Sequence, residues 1–161
     1  MLKKQQYDAL GRIIAVWQRD TAGQLYCERA IRHDNAVLTG PKLQPAQIIM
    51  LTPTKPVSLA EAVAHFDANP ASLVDIRKSV QRYCGAGQEI ERRASREADP
   101  AGNPLVSLSG SKSLTVRGQV LASGWPRTAN GFDWDGSAEP TAIEPLFRFK
   151  YDHRNLSLIH I

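Results

Sequence analysis

The chain has 161 residues, 42% of them hydrophobic and 22% charged, and it carries a formal net charge of +4. This composition excludes wholesale disorder and the length favours one core over two full domains, while the charge permits binding to a polyanion without requiring it. The longest apolar run, residues 46–51, is too short to cross a bilayer, and the amino terminus lacks the apolar stretch of a signal peptide, so we expect a cytoplasmic protein without a membrane partner.

The first predicted element is an amphipathic helix over residues 2–19. Its apolar positions recur at spacings of three and four, which is the period of one helix face; they are Tyr7, Leu10, Ile14 and Trp17. Gly11 lowers the helix propensity of this stretch by about 1 kcal/mol relative to alanine. The spacing nevertheless predicts a helix.

The same stretch carries a family resemblance. Tyr7-Asp8-Ala9-Leu10-Gly11-Arg12-Ile13, with Gly23 and Tyr26 later, resembles the tyrosine-aspartate repeat of Rhs-type shell proteins. The resemblance implies strands of a large spiral sheet in place of the helix. The motif occurs once, Tyr26-Cys27-Glu28 departs from it, and a repeat architecture needs several copies to bury its core. We therefore keep the helix as our expectation.

A β-hairpin and a central strand are predicted next. Residues 24–31 alternate as a strand does, residues 36–39 form a second apolar strand, and His33-Asp34-Asn35 supplies turn residues between them. Residues 47–52 form a nearly continuous apolar run, which is typical of a strand in the middle of a sheet.

Two short helices are predicted after this strand. Ser58 and Glu61 have the spacing of a capping box, which begins the first helix. Asn69-Pro70 is typical of the start of the second, and Gly85 is placed to end it. The pair resembles a helix–turn–helix unit. Its apolar residues should form one buried cluster with Ile48 and Ile49; they are Leu59, Val63, Phe66, Leu73, Ile76, Val80 and Tyr83.

The remainder of the chain is predicted to be mostly strands. Residues 88–98 are rich in Glu and Arg, which indicates an exposed helix or a partly ordered linker. Strands are then expected over residues 105–108, 114–121 and 146–151. In the last of these, three aromatic residues alternate with Arg148 and Lys150. This alternation suits either a sheet with one buried face or a platform for base stacking.

These elements predict an α+β fold with an amino-terminal helix, a small antiparallel sheet, a central helix–turn–helix-like pair and a carboxy-terminal β-rich section. We expect residues 1–98 to form a mixed α/β domain and residues 99–155 to pack on the same core. Residues 156–161 resemble translated sequencing-adapter DNA and are treated as a candidate non-native tail.

We expect no catalytic, cofactor or metal site. Cys27 and Cys84 have no second cysteine or histidine at ligand spacing, so we expect both to be reduced. Asp133 and Asp135, with Glu144 and Lys150, leave a metal-dependent nuclease as one alternative. Their spacing differs from the usual nuclease motif and favours a loop.

The leading functional hypothesis is a non-enzymatic nucleic-acid-binding accessory protein of bacterial or mobile-element type, with DNA or RNA as its partner. Clustered cations carry this hypothesis, because lysine and arginine neutralise phosphates; the candidate residues are Arg77, Lys78, Arg82, Arg92, Arg93, Arg148 and Lys150. The alternative is a structural or protein-interaction module whose basic face is only solvated.

Overall fold

The computed structural model describes residues 3–35, 37–39, 42–44, 46–68, 75–84, 87–96, 100–101, 105–109, 112–115, 119–129, 131–132, 145–151 and 157–160. Strands predominate in them, and the one described helix has five residues. No helix in these ranges has the length and apolar character needed to cross a membrane. The predicted α+β fold with a helical pair is therefore wrong, and the fold is mostly β.

The elements in chain order are β1 (Lys3–Tyr7), β2 (Ile13–Arg19), β3 (Leu25–Asp34), β4 (Val37–Thr39), β5 (Lys42–Gln44), β6 (Ala46–Pro53), α1 (Leu59–Val63), β7 (Ile76–Tyr83), β8 (Glu89–Ser95), β9 (Val106–Ser109), β10 (Lys112–Leu114), β11 (Val120–Gly124), β12 (Arg127–Ala129), β13 (Pro145–Tyr151) and β14 (Ser157–His160).

The main sheet has eight strands in the order β1-β2-β3-β6-β7-β8-β9-β12, and each neighbouring pair is antiparallel. Its strands come from both sides of residue 98. A second sheet has the order β10-β11-β13-β14, and β4 and β5 pair with each other between β3 and β6 in the chain. The predicted hairpin partner of β3 is thus wrong, since β3 pairs with β2 and β6.

The predicted amino-terminal helix is wrong, because its residues form the β1–β2 hairpin. The Asp8 carboxylate accepts hydrogen bonds from the Leu10 and Arg12 amides, both at 2.9 Å, and Gly11 has a φ of 76°. A positive φ costs glycine little, so this geometry favours a turn over a helix. Leu10 lies at the tip of this hairpin and is 73% exposed. The spacing of three and four that includes Leu10 therefore does not mark a buried helix face.

The same closing hydrogen bond recurs in four five-residue connections along the chain. In each copy the first amide donates to the carbonyl of the fifth residue, at 2.8 to 2.9 Å. The copies begin at Asp8, Asp20, Cys84 and Thr115, and each has glycine at its fourth position. They join β1 to β2, β2 to β3, β7 to β8 and β10 to β11. The Asp-x-x-Gly part of the motif that resembles the Rhs-type repeat therefore occurs at Asp8 and again at Asp20, and the other two connections keep only its glycine.

The second predicted helix is also wrong over residues 76–83, which form β7; Asn69, Pro70, Leu73 and Gly85 lie outside the described residues. Residues 89–95 form β8 instead of an exposed helix or linker. The strand predicted over residues 114–121 is a hairpin in which β10 pairs with β11. Pairing between strands decided each of these segments, whatever their local propensity.

The helix that begins at the capping box is confirmed. The Ser58 hydroxyl accepts from the Glu61 amide, and the Glu61 carboxylate accepts from the Ser58 amide at 2.7 Å. The segment that contains α1 packs on one face of the main sheet, where Ala62 and Phe66 join Ile49 and Leu51 in the core. We call this the covered face and the opposite one the open face.

The predicted core is right in part. Phe66, Ile76, Val80 and Ile49 belong to one buried cluster, and Leu59 packs against it. Val63 is 40% exposed. Ile48 lies on the open face, because it neighbours Ile49 in β6 and successive side chains of a strand point to opposite faces.

Candidate nucleic-acid interface

The seven predicted cations do not share a surface. Lys78 and Arg82 are four residues apart, a spacing that places them on one face of a helix or of a strand. In the strand β7, however, Ile76 and Val80 lie on the same face, and that face is the covered one. The expectation that both cations point to solvent is therefore wrong: Lys78 is 4% and Arg82 2% exposed.

Lys78 is held by main-chain carbonyls beyond α1. Its ammonium donates to the carbonyl of Phe66 and, at 2.9 Å, to that of Ala68. The same nitrogen lies 4.9 Å from the centre of the Phe132 ring, which is within range of a cation–π contact. The charge of Lys78 is thus directed to the protein's own chain.

Arg82, Glu91 and Arg93 form what we call the buried ionic cluster. The Glu91 carboxylate lies 3.3 Å from Nη1 of Arg82 and 2.5 Å from Nε of Arg93, and Glu91 has no exposed surface. The two guanidinium groups also donate to the carbonyls of Phe132 and Gly131, at 2.8 and 3.0 Å. The cluster therefore binds residues 131–132 to strands β7 and β8.

Arg77 and Arg92 remain exposed on the open face. The Arg92 guanidinium lies 2.9 Å from the Glu89 carboxylate, and this hydrogen bonding raises the pKa of Arg92 above its ordinary value. Arg92 is thus partly neutralised. Arg77 pairs in register with Thr52 of β6 and presents its charge to solvent.

Arg148 and Lys150 lie in the second sheet, on β13, and both are exposed. Phe147 is 37% exposed, and Tyr151 donates from its hydroxyl to the carbonyl of Val120 at 2.9 Å. Since side chains alternate along a strand, Phe147 and Tyr151 lie on the face opposite the two cations. A base stacked on Phe147 would therefore lie on the face of the sheet opposite to Arg148 and Lys150.

The other predicted chemistry receives little structural test. Asp133, Asp135 and Glu144 lie outside the described residues, so the nuclease alternative stays untested. Within the described ranges no three His, Cys, Asp or Glu side chains come close enough to hold a metal ion. Cys27 and Cys84 are free thiols, and burial raises the pKa of Cys27.

One sequence signal marks these strands: the glycine that recurs at the fourth position of each connection is typical of a turn between strands. Residues 76–83 carry no such signal, because Lys78 and Arg82 interrupt the apolar/polar alternation that predicts a strand. No local signal identifies Glu91 as the anion of the cluster: Arg93 lies two residues away on the same strand, but Arg82 lies on the neighbouring strand and the sequence does not show that the three are buried together. Comparison with protein-family models, curated proteins and solved structures found no match to this chain.

Proposed function

We propose that this chain is a non-enzymatic structural module that acts through protein contacts made by its antiparallel sheet. The observation that carries the proposal is the hydrogen bond from the first amide to the fifth carbonyl, which recurs in four connections between neighbouring strands. Short connections of this kind join successive antiparallel strands into hairpins and so build a continuous sheet. The resemblance of residues 7–13 to the repeat of Rhs-type shell proteins supports the same function class.

The placement of the cations also supports a structural role. Lys78, Arg82 and Arg93 hold the carbonyls of the protein's own chain, and each is at most 8% exposed. A buried guanidinium cannot reach a phosphate without disrupting the core that contains it. The burial of three of the seven residues predicted to bind nucleic acid therefore favours a structural role for those three.

A binding titration tests this proposal. Fluorescence anisotropy with duplex DNA, single-stranded DNA and structured RNA at about 50 mM salt should show no saturable binding, because phosphate contacts dominate nucleic-acid affinity at low salt. Saturable binding that weakens steeply as salt is raised would contradict the proposal.

A nucleic-acid-binding accessory protein is the second candidate, and the exposure of Arg77, Arg148 and Lys150 favours it. If it is correct, Arg77→Ala should lower the slope of log affinity against log salt by about one unit, because one phosphate is then no longer neutralised by the protein. Arg19→Ala, at an exposed arginine near the first edge of the sheet, is the matched control and should leave the slope unchanged.

A further inference from the structure

Strand β1 forms one edge of the eight-stranded sheet, and no strand among the described residues pairs with the outer side of its backbone. All five of its residues are exposed. Such an edge presents unpaired amide and carbonyl groups that can bind another strand.

The protection of this edge is limited to the short length of β1 and to one bulge in its pairing with β2. Lysine side chains commonly guard an edge, but here Lys3 lies 2.7 Å from the Glu28 carboxylate and Lys4 lies 5.9 Å from the centre of the Trp17 ring. Both cations are thus turned towards the sheet. The strand contains no proline, and its pairing with β2 is regular until the bulge between Gln6 and Tyr7.

The sequence of β1 suits pairing with itself in one register. In an antiparallel pair, two opposite residues direct their backbone amide and carbonyl groups either both towards the partner strand or both away from it. When a two-fold axis relates two identical strands, one residue must therefore lie opposite its own copy, and the axis passes between these two copies. An axis at Gln5 pairs the whole strand and places Lys3 opposite Tyr7 and Lys4 opposite Gln6. An axis at Lys4 would pair fewer residues and would place the two copies of Lys4 opposite each other. Parallel pairing in equal register would also place identical lysines opposite each other, and like charges in opposite positions are destabilising.

We propose that a second copy of this chain pairs with β1 in the antiparallel direction, about a two-fold axis at Gln5, so that two sheets become one. This proposal rests on the proposed function and names the partner of the module. Two five-residue strands make an interface smaller than the standard size. We therefore expect a weak dimer whose population rises with protein concentration.

Cysteine cross-linking tests the register. In a Cys84→Ser background, Gln5→Cys places the two new cysteines opposite each other, with Cα atoms about 5 Å apart, which suits a disulfide. Gln6→Cys is the matched control, because in this register its two copies are about 8 Å apart, beyond disulfide reach. Mild oxidation should give a covalent dimer of the first variant only; cross-linking of the second, or of neither, would overturn the proposal.

Sedimentation of the unmodified chain gives a measurement that depends on no variant. The average mass should rise towards twice the monomer mass as the concentration approaches about 100 μM, the range of weak interfaces. A constant monomer mass would overturn the pairing. If the chain stays monomeric and binds no nucleic acid, the dimer is refuted and the proposed function stands. If the chain cross-links as expected and also binds nucleic acid, the proposed function is refuted and the dimer stands.

Discussion

Replacing Glu91 by glutamine removes the negative charge of the buried ionic cluster and keeps the shape of the side chain. The buried charged residues that the structure describes are three cations, Lys78, Arg82 and Arg93, and the single carboxylate of Glu91. Removing one partner of a buried ion pair costs about 3–5 kcal/mol, because the remaining charge stays desolvated after it has lost its opposite charge. We therefore expect Glu91→Gln to lower the free energy of unfolding by about that amount.

Urea unfolding monitored by circular dichroism measures this loss. With a denaturant slope of about 2 kcal/mol per molar, the midpoint should fall by about 2 M. The control is Glu89→Gln in the same strand, where the carboxylate pairs with the partly exposed Arg92; an exposed pair contributes at most about 1 kcal/mol. Equal midpoints for the two variants would refute the role assigned to the cluster.

Three further predictions concern the core, the helix cap and the turn at Asp8. Phe132→Ala should cost about 3–5 kcal/mol in urea unfolding, because the substitution removes a buried ring that packs against Lys78; a cost below about 1 kcal/mol would contradict this. Ser58→Ala should cost about 1 kcal/mol by the same assay, since the helix cap is removed, and an unchanged midpoint would count against the cap.

The pKa of Asp8 lies below the ordinary 3.8, chiefly because its carboxylate accepts a hydrogen bond from the Arg12 amide and, to a smaller extent, one from the Arg12 side chain. Ionised Asp8 therefore stabilises the fold fully above pH 3.8, and this stabilisation is lost as the pH falls through the lowered pKa. An NMR titration should show this lowered pKa and a partial return in Arg12→Ala; an ordinary value in the unmodified chain would exclude the turn.

Local signals predicted the parts of the fold that depend on a few adjacent residues. The capping box at Ser58 was identified because its partners lie three residues apart. The apolar run at residues 47–52 predicted a central strand, and β6 is the fourth of eight strands. Both signals act within a short segment and do not require knowledge of what packs against it.

Signals of period three and four misled where a strand was also compatible with the spacing. The apolar residues between positions 7 and 17 have the spacing of a helix face. The chain nevertheless reverses its direction there, because the Asp8 carboxylate accepts a hydrogen bond from the Arg12 amide and Gly11 adopts a positive φ. For Lys78 and Arg82 both structures place the side chains on one face, so spacing alone could not tell strand from helix. Pairing of β7 with β6 and β8 settled the conformation.

The sequence by itself determined the helix cap, the central apolar strand and the presence of clustered cations. It did not reveal the turn at Asp8, whose neighbouring residues have the spacing of a helix. Only the tertiary structure decided which of those cations face solvent. Arg82 donates to a carbonyl 50 positions away, at Phe132, and Arg93 to one 38 positions away, at Gly131. Burial of a charge depends on contacts between segments this far apart, because a charged group leaves water only where other parts of the chain supply its hydrogen bonds.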